Sequence, residues 1–261
     1  MTATGAPSSG FPSRRRLAAA ARLRQMYDWL AAAYGPQHWW PAQAAFEVIL
    51  GAYLTQNTAW KAVERSLDNL RQAGALTVDG FRALRLEDLR RLIQPSGFTT
   101  RKASALKAFI AMLDAEFDGS LDVLAAVPTS ALRERLLALP GVGPETADAI
   151  LLYALGHPVP VADEYLRRIA ERHDLVAAPS GRIRYDALIE LTRSAFAADP
   201  AAHRSQLFNE FHALTVAVGK AHCGRAARCE GCPLASDLHR LRQSKSSHPL
   251  EPQALRQYPG S

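Results

Sequence analysis

Apolar side chains recur every three to four residues along most of this chain, and no stretch alternates apolar and polar residues for long enough to make a strand. Leu106, Phe109, Ile110 and Leu113 fall at i, i+3, i+4 and i+7 with no Pro or Gly between them. Phe46, Ile49, Leu50 and Tyr53 repeat the spacing, as do Ala147, Ile150, Leu151 and Ala154. Each set lines one side of a helix. Clusters of Pro, Gly, Asp, Asn and Ser interrupt the pattern at 34–41, 95–100, 139–144, 156–160 and 178–181 and mark the turns. The spacing predicts an all-α fold. With 261 residues, 48% of them hydrophobic and 21% charged, the chain suits one large domain or two intimate ones. Its composition excludes bulk disorder, and no internal repeat is found.

Three cysteines cannot build a disulfide framework, which points to a reducing compartment. No apolar run approaches the roughly 18 residues of a membrane span. The first residues, MTATGAPSSGFPSRRR, hold no hydrophobic stretch before their arginines, so no secretory signal is expected there. Net charge is unevenly placed. Residues 1–24 carry +5, residues 220–245 carry +4, and residues 25–219 sum to −3. Basic ends around a slightly acidic middle suit either a polyanionic partner or solvated tails.

The segment Leu139-Pro140-Gly141-Val142-Gly143-Pro144-Glu145 joins two helices through a tight turn. Two glycines permit positive φ and close approach, and Pro144 suits the first position of the second helix. Such a turn is an ordinary helix corner or, beside a helix N-terminus, a nest of backbone N–H groups for a phosphate. Apolar spacing on both sides favours the nest.

From here the sequence resembles a family. LPGVGPETADAILLYALGHPVPVADEYLRRI is similar to the helix-hairpin-helix, Gly/Pro-rich loop and aspartate of the endonuclease III superfamily of DNA glycosylases. The resemblance runs from about residue 35 to 235. Ile49 to Thr58 resembles the family's early helix and its DNA-wedging loop; Pro95 to Phe98, with Arg101 and Lys102, resembles a second DNA-facing loop; Gly219-Lys220 and the cysteines resemble its iron–sulfur loop. The resemblance implies an all-α, two-lobed fold. A six-helix lobe would span 35–157, and a second lobe would combine 14–34 with 158–240. Residues 1–13 and 241–261, rich in Ser, Pro and Gly, are expected to be disordered.

The resemblance gives Asp163 the catalytic role. A carboxylate facing the sugar of a flipped nucleotide stabilises an oxocarbenium-like sugar and orients water. Asp also suits a helix N-cap, and the two roles are compatible. Glu145 departs from the strand-cleaving members, which carry a lysine two residues after the second hairpin glycine. A carboxylate cannot form their imine, so a monofunctional glycosylase without lyase activity is expected.

All four tryptophans fall within residues 29–60. Trp39-Trp40-Pro41, Thr55 to Trp60 and Gly143 to Leu151 are similar to the 3-methyladenine DNA glycosylase III branch, which shares the hairpin glutamate. That resemblance puts Trp40 and Trp60 on either side of an extruded base, with Trp39, Glu145 and Lys220 around the pocket; Trp29 reads as core. A cationic methylated purine stacks well on indoles and leaves without protonation. Gln56, Asn57, Gly97, Lys102, Leu139, Gly141, Val142 and Gly143 are expected to meet DNA, with Arg101 and Lys102 on the backbone. Lys220 reads equally as a phosphate contact, a pocket charge or a surface lysine.

The family's cluster pattern is C-x6-C-x2-C-x5-C, four thiolates on a [4Fe–4S] cluster. Cys223, Cys229 and Cys232 give C-x5-C-x2-C, with Leu238 where the fourth cysteine would stand. A degenerate cluster, a zinc site using His222 or His239, and a loop of plain thiols all stay open. The chemistry itself requires no cofactor. The resulting expectation is a monomeric, cytoplasmic, nucleoid-associated bacterial enzyme that excises an alkylated purine from duplex DNA. A bifunctional endonuclease III-type lyase, an adenine glycosylase and a non-catalytic DNA-binding protein are the alternatives.

Overall fold

The structure, a computed structural model, describes residues 14–37, 39, 44–178 and 181–238. The tails expected to be disordered, Trp40 and His239 lie outside the described residues. The chain is all-α. In chain order the helices are α1 (Arg14–Tyr34), α2 (Ala45–Leu54), α3 (Trp60–Gln72), α4 (Val78–Ala83), α5 (Leu86–Leu92), α6 (Thr99–Phe117), α7 (Leu121–Ala125), α8 (Thr129–Ala138), α9 (Pro144–Ala149), α10 (Glu164–Arg172), α11 (Tyr185–Ala195) and α12 (Arg204–Ala221). None is long and apolar enough to cross a membrane among the described residues.

Two hydrophobic cores organise them. The first gathers α2 to α9, and α2 is its axis: every residue from Phe46 to Leu54 is buried. A helix that is apolar all round has to be enclosed on all sides. Around it lie the amphipathic stripes of α3 and α6, with Val63, Leu67 and Leu70 on one and Leu106, Phe109, Ile110 and Leu113 on the other. Each such buried aliphatic or aromatic side chain stabilises the fold by about 1.5–3 kcal/mol.

The second core joins both ends of the chain. Ala19, Leu23, Met26 and Leu30 of α1 pack with Leu166 and Ile169 of α10, Leu188 and Leu191 of α11, and Phe208, Phe211 and Leu214 of α12. Trp29 packs at its edge. Polar contacts close the same unit. Arg22 donates to both oxygens of Asp237 at 2.9 and 2.5 Å and to the His173 carbonyl at 2.7 Å, and His173 Nδ1 donates to Asp237 Oδ2 at 2.8 Å. Desolvation would raise the Asp237 carboxyl, but the His173 and Arg22 hydrogen bonds outweigh it and hold it down at about 2. This tie therefore supports folding above the ordinary carboxylate range and is lost as pH falls toward 2.

Between the cores, α9 runs into a π-helical turn at Ile150–Ala154. Ile150 and Leu151 enter the first core and Leu152 the second, so this turn divides its side chains between the lobes. Asp148, fully buried just before it, accepts from Arg133 Nε and Nη2 at 2.6 and 3.0 Å and from the Tyr185 hydroxyl at 2.8 Å. One carboxylate thus ties α8 and α9 to α11 across the lobe boundary.

Candidate active site

A cleft of about 1220 Å³ opens where the lobes meet. The turn after α2, the hairpin before α9, the start of α10 and one side of α12 line it. The hairpin owes its shape to glycine. Gly141 has φ +77°, and a Cβ there would lie 3.3 Å from Ala105 Cβ. Gly141, Gly143 and Pro144 are exposed, whereas Val142 is buried and Leu139 half-buried against the first core. Leu139 and Val142, expected at the DNA face, therefore offer only backbone there. Their side chains anchor the turn, which needs apolar contacts to hold its position.

Gln56 braces the hairpin from the turn after α2. Its Nε2 donates to the Gly141 carbonyl and to Thr146 Oγ1, both at 3.0 Å. Asn57 follows, exposed and in the left-handed region at φ +51° that Asn tolerates better than most side chains. Gly97, at φ +64° and ψ 179°, holds a conformation that is essentially glycine-only. It precedes Phe98, which is 61% exposed and itself at φ +49°.

Lys102 is corrected by the structure. Expected on the DNA backbone, it is 4% exposed, and its Nζ donates to the Leu54 carbonyl, Thr58 Oγ1 and the Ser96 carbonyl at 2.7, 2.7 and 2.9 Å. Burial pushes its ammonium below the ordinary 10.5. The charge is used inside, pinning the Thr55–Thr58 turn and the Gly97 loop to α6. Arg101, next to it, is exposed.

Of the three readings of Lys220, the structure removes the pocket charge and leaves the phosphate contact and the surface lysine. The residue lies two turns beyond the cleft-lining His212 on α12, about 12 Å along the axis, exposed and outside the cleft wall.

Asp163 caps α10: its Oδ1 accepts from Leu166 N at 2.9 Å, and its Oδ2 faces the cleft. Trp39 and Trp60 line the same cleft, and Trp60 Nε1 donates to Glu64 Oε1 at 2.9 Å. Tyr153 and His212 also line the cleft, as do Arg167, Arg182 and Arg184. Tyr153 escaped the sequence reading because the π turn shifts its register. His212 sits just before the apolar run Leu214–Val218 and reads there as core.

Glu145 is solvent-accessible, yet it stands on the concave floor of the cleft beside Asp163 and His212. Desolvation first, then the Asp163 carboxylate, push its carboxyl up from 4.5 to about 7. The folded value lies above the ordinary one, so folding favours the neutral form. That contribution is complete below about 4.5 and gone above about 7. Glu145→Gln is neutral at every pH. It should melt higher than the parent protein near pH 8, and the gap should close toward pH 4. An equal difference at both ends would mean that Glu145 is not desolvated.

Cys223, Cys229 and Cys232 line a cavity of only about 20 Å³, room for roughly one water. Leu238, also on its wall, supplies no donor atom, and Arg172 Nη1 donates to Cys223 Sγ at 2.9 Å. Burial pushes the Cys232 thiol up. No group of three or more His, Cys, Asp or Glu is disposed to hold a metal ion among the described residues. Leu238 leaves the fourth position of the family's pattern without a donor atom, and His239 lies outside the described residues.

Two helical lobes, a glycine hairpin and a capping aspartate across one cleft define the architecture of a base-excising DNA repair protein. The chain belongs to the HhH-GPD superfamily of base excision DNA repair proteins, which it matches over residues 50–193. A candidate DNA repair glycosylase of Methanocaldococcus jannaschii is 36% identical over 214 residues, 81% of this chain and 93% of that one. The H. pylori 3-methyladenine DNA glycosylase bound to 1,N6-ethenoadenine superposes with a TM-score of 0.65 at 27% identity, covering 78% of this chain and 97% of that one. A trapped endonuclease III–DNA covalent intermediate shares the fold, with a TM-score of 0.65 at 24% identity over 85% and 99% of the two chains. The chain is accordingly a DNA glycosylase of base excision repair.

Proposed function

We propose that this protein is a monofunctional glycosylase that hydrolyses the N-glycosidic bond of an alkylated purine, 3-methyladenine foremost, flipped out of duplex DNA. Glu145 carries the reading. It stands on the cleft floor at the hairpin position where a lyase needs an amine, and a carboxylate forms no Schiff base. Without an imine, the sugar is attacked by water. The 27% identity to the H. pylori 3-methyladenine glycosylase supports the same branch.

In this reading Asp163 faces the sugar. Its carboxylate stabilises positive charge as the bond breaks and orients the incoming water. Trp60 lines the cleft with Trp39 in support, and an indole stacks well on a cationic base whose glycosidic bond is already weak; Trp40, the other expected stacking partner, lies outside the described residues. In the same reading Asn57, exposed on the cleft wall, fills the gap that the flipped nucleotide leaves, and flipping costs least for a damaged base.

The test is incubation with methylated duplex DNA, thymine-glycol DNA and abasic DNA, with borohydride present to trap an imine. Release of 3-methyladenine with no trapped complex is the expected result. A trapped complex would overturn the monofunctional reading. Turnover of thymine glycol alone would move the substrate to oxidised pyrimidines.

A further inference from the structure

Behind Asp163 stands a pair of side chains that the reaction above does not use. His212 is 7% exposed, and its Nδ1 lies within hydrogen-bond reach of the Tyr153 hydroxyl. Its Nε2 is buried, has no hydrogen-bond partner among the described residues, and points at Asp163 Oδ2 from 3.6 Å. The ring is held in plane from two sides. Trp39 meets it edge-on at 4.9 Å and 76°, and Tyr153 lies across it at 5.8 Å and 27°. Native interiors seldom leave an imidazole nitrogen unpaired, and one aimed at a cleft carboxylate calls for a role.

The tautomer follows from the neighbours. Burial, then the Asp163 and Glu145 carboxylates, hold the Tyr153 phenol well above its ordinary 10, so it keeps its proton. A protonated phenol can donate to Nδ1, which leaves the imidazole proton on Nε2, facing Asp163. Asp163 Oδ1 is already engaged by Leu166 N–H. Both oxygens then have a donor directed at them, one from the helix cap and one from the imidazole.

We infer that Tyr153 and His212 form a positioning relay for Asp163. Tyr153 fixes the imidazole tautomer, and the Nε2–H holds the carboxylate toward the sugar. The 3.6 Å separation shortens to a hydrogen bond when DNA fills the cleft, as such contacts do when substrate binds. No proton is transferred in this role, and His212 acts only through Asp163. The inference rests on the reading of Asp163 as the catalytic carboxylate.

The experiment is single-turnover release of base from methylated duplex DNA, measured beside DNA affinity and thermal melting. The proteins are the parent, Tyr153→Phe, His212→Phe, His212→Gln and the Tyr153→Phe/His212→Phe double variant. Misplacement of a reacting group by about 1 Å costs on the order of a hundredfold, so His212→Phe should slow release by about that factor while DNA affinity stays within about twofold. Tyr153→Phe, which removes one oxygen, should slow release less. In the double variant it should add nothing, because its effect passes through His212. His212→Gln retains an N–H donor near the Nε2 position and should recover part of the rate.

Several outcomes overturn the relay. They are an unchanged rate in His212→Phe, a Tyr153 effect that multiplies with that of His212, or losses of rate and DNA affinity in equal proportion. A parent protein that releases no base would overturn the functional reading itself, and the relay with it. Active parent protein with a fully active His212→Phe would overturn the relay alone.

Discussion

Asp163→Asn is expected to slow base release by about a hundredfold or more while leaving folding and DNA affinity nearly intact. The substitution separates two roles of one side chain. As an N-cap, Asp163 accepts from Leu166 N through Oδ1, and asparagine caps a helix about as well. As a charge, it faces the sugar, and an amide offers no carboxylate to the developing cation. Loss of one charge-stabilising group of this kind typically costs about 10²–10³ in rate. Asp163→Ala would add about 1 kcal/mol of destabilisation through the lost cap, which makes asparagine the cleaner probe. Unchanged release by Asp163→Asn would remove Asp163 from the mechanism.

The largest effect on stability should come from Asp148→Ala. Asp148 is fully buried and accepts three hydrogen bonds, two from Arg133 and one from Tyr185. Arg133 is partly exposed and can regain water, but Tyr185 is half-buried in the cleft wall, where burial and the Asp148 carboxylate raise its phenol well above the ordinary range. Breaking a buried pair at one partner costs about 3–5 kcal/mol, and the solvent access of Arg133 places this case near 3 kcal/mol. Denaturant unfolding would measure it. A loss below about 1 kcal/mol would mean that Arg133 and Tyr185 find other partners. The same change loosens α11 against α9, so the cleft should lose rate beyond what the fall in folded fraction explains.

Much of this site could be read before any coordinates. Period-3.6 spacing, with Pro and Gly punctuation, locates the helices because burial of one helix face needs that spacing. Gly141 was legible for the same reason, since a helix–turn–helix this tight requires positive φ. Asp163 was legible because cap chemistry and its place after the Gly/Pro loop are both local. The charged residues were harder. Lys102 follows Arg101 in a DNA-facing motif, and nothing in the sequence says which of the two cations faces water. Three acceptors converge on its Nζ from α2, the turn after it and the Gly97 loop, and only the packed fold brings them together.

For Lys220, too, the sequence left pocket, phosphate contact and plain surface equally open. Its neighbour Gly219 is forced, because a Cβ there would sit 2.2 Å from the Tyr165 ring, and that contact sets how closely α12 approaches α10. The approach turns His212, two helical turns earlier, into the cleft and leaves Lys220 outside it. Tyr153 depends on the π turn, whose altered register no apolar periodicity announces.

The sequence by itself determined what is local and periodic: an all-α chain, a glycine hairpin opening a helix on proline, a capping aspartate, and a carboxylate where a lyase needs an amine. The tertiary structure alone decided which polar groups share the cleft. It turned Lys102 inward, left Lys220 outside, closed Asp148 between two lobes and brought His212 to Asp163. The physical reason is that hydrogen bonds and charge pairs join residues 15 to 215 positions apart, and their partners are chosen by packing geometry rather than by spacing along the chain.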